Sequence, residues 1–129
     1  MTCFWDGIFC SLNNEDKTLL GLDVRCKRED IIRVLMERNC LVDTLWQGKE
    51  LREQEKKEHF QAVKDYDVRK IYGGHWTSIC DSFLLLICQV LKVDISHRYL
   101  NTMISYKYSG KARKVLKFKS NRGHFEIMR

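Results

Sequence analysis

Residues 76–91 read WTSICDSFLLLICQVL and form the most apolar stretch of the chain. Gln89 interrupts the apolar run, which is too short to span a bilayer. Thr77 and Ser78 can supply the polar side chain that a first helical turn requires. We therefore predict a buried helix over residues 76–91, and we expect the rest of the fold to pack around it.

Extended segments follow this helix. They are rich in β-branched and aromatic side chains or alternate between apolar and polar residues, and they cover residues 93–97, 103–108, 114–119 and 124–128. Two polar, glycine-containing turns separate the last three segments, at residues 109–111 and 120–123. The pattern predicts a small β-sheet in the last third of the chain.

Helical patterns occupy the chain before residue 76. Residues 3–12 carry apolar side chains four positions apart, which predicts a buried helix that the polar turn at residues 13–16 ends. A second helix is expected from Asp30 to about Asn39. Residues 47–64 are mostly charged and predict an exposed helix with i,i+4 ion pairs. Helices first and strands afterwards indicate an α+β fold.

Length and composition predict one domain over residues 1–129. The chain has 44% hydrophobic and 31% charged residues, contains no proline and shows no low-complexity linker. The amino-terminal residues lack the basic and apolar regions of a secretory signal, so we expect a cytoplasmic protein without a membrane partner. The six cysteines are scattered, with no CxxC pair, and are expected to be reduced thiols. The histidines are too dispersed to predict a metal site, and we expect no other cofactor.

The net charge of +6 raises the question of nucleic acid as a partner. Many of the cations lie in the last third of the chain, where they alternate with apolar residues, as in Lys114-Val115-Leu116-Lys117-Phe118-Lys119. Alternation is typical of the solvent-facing side of a half-buried strand. No nucleic-acid-binding motif accompanies the charge, so we expect a solvated face and rank nucleic-acid binding last.

Cys3, His124 and Glu126 are the candidate catalytic residues. The amino-terminal end of a helix favours a cysteine thiolate, and the first predicted helix begins at Cys3. A cysteine nucleophile also requires a base, usually a distant imidazole that an acceptor orients. His124 lies in a predicted strand, and Glu126 lies two residues further along and therefore on the same face. On spacing alone, however, these residues are a weak signal, because six cysteines and four histidines offer many such pairs.

Three separated stretches resemble the ovarian-tumour (OTU) class of cysteine proteases. Cys3-Phe4-Trp5-Asp6-Gly7-Ile8 resembles the nucleophile helix of that family. Tyr72-Gly73-Gly74-His75, the apolar helix after it and Val93-Asp94-Ile95 look like the family's Gly-Gly turn, central helix and following strand. Gly123-His124-Phe125-Glu126 is similar to the closing strand that carries the catalytic histidine. The three stretches occur in the family's order and span most of the chain.

The resemblance implies a papain-like OTU fold, in which an amino-terminal nucleophile helix and a central apolar helix pack on a small, mostly antiparallel sheet. It implies that Cys3 attacks an amide or isopeptide carbonyl, that His124 transfers the proton and that Glu126 orients His124. Substrates of this family are conjugates of ubiquitin or ubiquitin-like proteins, and some viral members, which act in the host cytoplasm, also cut their own polyproteins. The candidate substrate-binding residues are Gly73, Gly74, His75 and Trp76. The alternative, to which we give equal weight, is that this segment only packs at the mouth of the central helix.

The chain departs from the family pattern before the nucleophile. The family places Asp-Gly and one further residue there, in a loop that helps to stabilise the oxyanion, whereas only Met1 and Thr2 precede Cys3. Losing an oxyanion donor costs about 10²–10³ in rate. Either the chain is cut from a longer precursor that supplies this loop, or catalysis is impaired, and a catalytically impaired OTU-fold binding module is the alternative function. The competing nucleophile is Cys10, which follows Asp6-Gly7 but with one extra residue and inside the predicted helix.

Overall fold

The computed structural model describes residues 3–69, 78–121 and 124–128, except for the side chains of Cys3, Ser78 and Ile79. In these residues the chain forms five helices, which are α1 (Cys3–Ser11), α2 (Asn14–Leu19), α3 (Arg28–Glu37), α4 (Glu53–Lys64) and α5 (Ser78–Leu91). It also forms five strands, which are β1 (Leu45–Trp46), β2 (Asp94–Tyr99), β3 (Thr102–Lys107), β4 (Val115–Asn121) and β5 (His124–Ile127). The predicted α+β class is confirmed.

The strands form one mixed sheet in the order β1-β3-β2-β4-β5. Three of its pairings are antiparallel, and β2 pairs with β4 in parallel. The alternation expected from the sequence is present, because Ile95, Leu116, Phe118 and Phe125 are buried on the inner face while Lys117 is exposed on the outer face. The strands predicted from residue 93 onward are thus confirmed, although residues 122–123 of the predicted second turn lie outside the described residues.

Helix α5 is the centre of the core. Six consecutive residues, Phe83, Leu84, Leu85, Leu86, Ile87 and Cys88, are each at most 1% exposed. A helix that is buried on all sides needs apolar residues all around it, which explains why this stretch has no polar face. The helix packs on β2, β3 and α4 and confirms the predicted central helix, but the predicted start at residues 76–77 lies outside the described residues. In the described parts of the chain, no helix is long and apolar enough to cross a membrane.

The prediction of a simple turn at residues 13–16 is wrong. Asn13 instead caps α2: its side chain accepts a hydrogen bond from the backbone N–H of Asp16, and the Asp16 carboxylate accepts one from the N–H of Asn13, both at 2.9 Å. Residues that favour turns are also those that favour helix caps, and the sequence alone did not distinguish the two.

The prediction of a helix from residue 47 is also wrong at its start. Gln47 and Gly48 have φ angles of +54° and +76°, which a right-handed helix excludes, and α4 begins only at Glu53. Gln47 follows β1 and pairs with β3: the N–H of Ser105 donates to its Oε1 at 2.9 Å, and its own N–H donates to the Ser105 carbonyl at 2.8 Å. The gain of pairing with a distant strand outweighs local helix propensity here.

Two of the cations assigned to a solvated face belong instead to an interior ion cluster. Arg113 and Lys114 donate to the two oxygens of the fully buried Asp16 carboxylate at 2.8 and 2.6 Å. Arg113 also donates from Nε to the Leu91 carbonyl at 2.8 Å. The cluster therefore joins α2 to the end of α5 and to the segment that enters β4.

Candidate functional site

His124 and Glu126 lie on the outer face of the edge strand β5. Nε2 of His124 is 3.3 Å from Oε2 of Glu126, and both side chains are about half exposed. The expectation that these two residues share one face of a strand is therefore met, and their side chains are in contact. Because Nε2 faces the carboxylate, Nδ1 is the ring nitrogen that is available to a nucleophile.

Lys119 completes this group from the neighbouring strand. It lies directly opposite Glu126 in the register of β4 and β5, and its Nζ is 3.2 Å from Oε1 of Glu126. The hydrogen bonds from Lys119 and His124 lower the pKa of the Glu126 carboxyl below its ordinary value. Glu126 therefore stays ionised over a wide pH range, and it can hold the imidazole ring in one orientation.

Helix α1 packs directly against β5. Phe125 points to the inner face, where its ring centroid is 4.9 Å from that of Phe4 in α1 and 4.9 Å from that of Phe118 in β4. An ideal Cβ added at Gly7 would lie 2.8 Å from Cδ1 of Phe125 and 3.7 Å from Cα of Glu126. Glycine is thus the residue that lets the helix approach the strand this closely.

This close approach leads to a stability prediction for Gly7. Gly7→Ala should destabilise the protein by about 1–2 kcal/mol, because overpacking costs about 1–3 kcal/mol and the better helix propensity of alanine returns up to about 1 kcal/mol. The measurement is urea unfolding followed by tryptophan fluorescence. The matched control is Cys10→Ala on the exposed side of the same helix, which should change stability little. Equal stability of Gly7→Ala and Cys10→Ala would contradict the packing argument.

Cys3 is the first described residue of α1; its side chain and the two residues before it lie outside the description, so the predicted helix start stays a prediction. Helix α1 lies next to the strand that carries His124 and Glu126, but it packs on the inner face through Phe125, whereas the side chains of His124 and Glu126 lie on the outer face. The candidate substrate-binding residues Gly73, Gly74, His75 and Trp76 lie outside the described residues.

The competing nucleophile Cys10 is exposed and lies in the last turn of α1. The carboxyl-terminal end of a helix lacks the free backbone N–H groups that the amino-terminal end offers to a negatively charged group. Among the described cysteines, Cys26, Cys40 and Cys88 have a thiol pKa that burial raises above its ordinary value. Raised pKa values make these three thiols poor nucleophiles.

Two other histidines are held inside the protein. His97 in β2 is fully buried, its Nε2 is 2.6 Å from Oγ of Ser120, and burial lowers its pKa to about 4. His59 in α4 is 2.8 Å from Oγ of Ser82, and burial lowers its pKa as well. Both rings are therefore neutral near pH 7, and His124 is the most exposed of the three described histidines. In the described part of the chain, no group of three or more potential ligands could hold a metal ion.

The sequence reasoning missed Lys119 and Gly7. Alternation alone predicts that Lys119 faces solvent. Its contact with Glu126 depends on the register of β4 and β5, which no local pattern specifies. Gly7 carried a visible signal, since a glycine inside a helical pattern often marks a close approach of two backbones.

Comparison of the chain with protein-family models, with curated proteins and with solved structures finds no match.

Proposed function

We propose that the protein is a cysteine hydrolase of the OTU class that cleaves isopeptide or peptide bonds after ubiquitin or a ubiquitin-like protein. The resemblance of the three sequence stretches to that family supports the proposal. The observation that supports the site is the packing of α1, which contains Cys3, against β5, the edge strand that holds the His124–Glu126 pair. Catalysis then requires the His124 ring to turn around this edge from the outer face toward α1.

In the proposed reaction, His124 takes the proton of the Cys3 thiol, and the resulting thiolate attacks the carbonyl carbon of the scissile amide. The tetrahedral oxyanion collapses to a thioester, and the amine leaves with the proton that His124 donates. His124 then takes a proton from water, which attacks the thioester and releases the carboxylate product and the Cys3 thiol. Glu126, held by Lys119, orients the imidazole through these steps.

The experiment that tests the proposal is labelling with ubiquitin that carries a carboxyl-terminal electrophile, followed by peptide mass spectrometry. We expect one adduct, located on Cys3, and no adduct in His124→Ala or in the denatured protein. The remaining cysteines are internal controls, because an affinity-directed adduct should not form on the exposed Cys10.

Three results would contradict the proposal in different ways. An adduct on Cys10 would transfer the nucleophile to the competing position. A folded protein that binds ubiquitin without forming an adduct would be the impaired binding module. A folded protein that neither binds nor reacts with ubiquitin, nor with the matching probes of ubiquitin-like proteins, would exclude this substrate class.

A further inference from the structure

The outer face of the sheet carries cations whose charge is not balanced within the described residues. Alternation along β2 and β4 places Arg98, Lys117 and Lys119 on this face, opposite the buried Ile95, His97, Leu116 and Phe118. Arg98 and Lys117 are exposed and form no ion pair with any residue that the structure describes. Lys119 alone is paired, with Glu126.

The strand register places these charges side by side. Arg98 lies directly opposite Lys119 in the parallel pairing of β2 and β4, and Lys117 lies opposite Ser96, one diagonal step from Arg98. Diagonal neighbours on adjacent strands are about 7–8 Å apart, which is within a Debye length at physiological salt. Glu126 balances the charge of Lys119, whereas the positive charges of Arg98 and Lys117 would be balanced by a bound anion.

Apolar side chains adjoin these cations. Met103 lies opposite Arg98 on β3 and is 52% exposed, and Val115 precedes Lys117 by two residues on β4 and is 50% exposed. The outward-facing positions of the described strands carry no phenylalanine, tyrosine or tryptophan, because the aromatic residues of the sheet point to the inner face. Single-stranded nucleic acid is usually bound by stacking its bases on such rings.

We propose that this outer sheet face, formed by Arg98, Met103, Val115 and Lys117, binds an acidic segment of a partner polypeptide. Arg98 and Lys117 pair with its carboxylates, and Met103 and Val115 contact its apolar side chains. Binding itself requires no catalysis, and the proposal can therefore be tested separately from the hydrolase.

The test measures fluorescence anisotropy of a labelled peptide of alternating glutamate and leucine, titrated with the Cys3→Ala protein. The variant is R98Q/K117Q on the sheet, and the matched control is K57Q/K64Q on α4, which removes the same charge from exposed positions elsewhere. We expect R98Q/K117Q to weaken binding about tenfold, since two exposed ion pairs with the peptide are lost. The control should change the affinity less than twofold, and a peptide of alternating glutamine and leucine should not bind.

Equal weakening by K57Q/K64Q would overturn the proposal, because it would show that only net charge matters. Tighter binding of single-stranded RNA, lost in R98Q/K117Q, would assign the face to nucleic acid instead. No binding of the acidic peptide by the folded protein would also reject it. None of these outcomes depends on whether Cys3 reacts with a ubiquitin probe, so failure here and failure of the proposed function are distinguishable.

Discussion

Cys3→Ala and His124→Ala should each reduce hydrolysis of a ubiquitin conjugate by about 10³-fold or more, because the nucleophile and its base act as a unit. Neither change should alter the fold. His124 is half exposed on the outer face of an edge strand, and its removal leaves the aromatic contacts of Phe125 in place. The measurement is the steady-state rate on a fluorogenic ubiquitin amide, with thermal unfolding of each variant as the check on folding.

A smaller loss should follow Glu126→Ala. Glu126 contacts the ring of His124 rather than the reacting atoms, so its removal lets the imidazole rotate without removing it. We expect a fall in the catalytic rate constant larger than any change in KM. Full activity of Cys3→Ala would reject the assignment of the nucleophile, and Glu126→Ala as inactive as His124→Ala would show that Glu126 does more than orient the ring.

The largest loss of stability should follow replacement of Asp16. Asp16→Asn keeps the size of the side chain but removes the negative charge that Arg113 and Lys114 face. Removing one partner of a buried ion pair costs about 3–5 kcal/mol. We expect about 3 kcal/mol, since both cations retain partial access to water. Glu15→Gln is the matched control. The Glu15 side chain is 71% exposed, and this change weakens only its ion pair with Arg113, whose N–O distance is 3.4 Å.

The effect of Asp16→Asn should depend on pH. Burial alone would raise the pKa of the Asp16 carboxyl, but the hydrogen bonds from Arg113 and Lys114 outweigh burial and lower the pKa below its ordinary value of 3.8. A carboxyl with a lowered pKa stabilises the folded state above its unfolded pKa, and this contribution is lost as the pH falls through the folded pKa.

Urea unfolding of both proteins at pH 7 and at about pH 3 tests this linkage. The difference in the free energy of unfolding between wild type and Asp16→Asn should be full at pH 7 and should shrink at the lower pH. A difference that is equal at the two pH values would mean that Asp16 acts through packing or capping rather than through its charge.

Local patterns in the sequence were sufficient for most of the helices and strands. The run of apolar residues in α5 predicted a helix buried on all sides, and alternation from residue 93 onward predicted strands β2 to β5. Such patterns are reliable because burial imposes its own period on a helix or a strand. Errors arose where two structures share one local signal, as at Asn13, or where a distant strand overrides propensity, as at Gln47.

The candidate site was predictable only in part. Glu126 was expected beside His124 because residues two apart in a strand share a face, and the contact between them is present. Lys119 was not expected there, because no local rule states which strand lies next to β5 or in which register. The same limit hid the Asp16 cluster, whose members are about a hundred residues apart in the chain.

The sequence by itself determined the α+β class, the central buried helix, the presence of the first helix and the shared face of His124 and Glu126, since each follows from spacing within one segment. Only the tertiary structure decided that β2 and β4 pair in parallel, that α1 packs on β5 at Gly7, and that Arg98 lies opposite Lys119. The reason is physical: periodicity records which side of a segment is buried, whereas strand order and register depend on contacts between segments that are far apart in the chain.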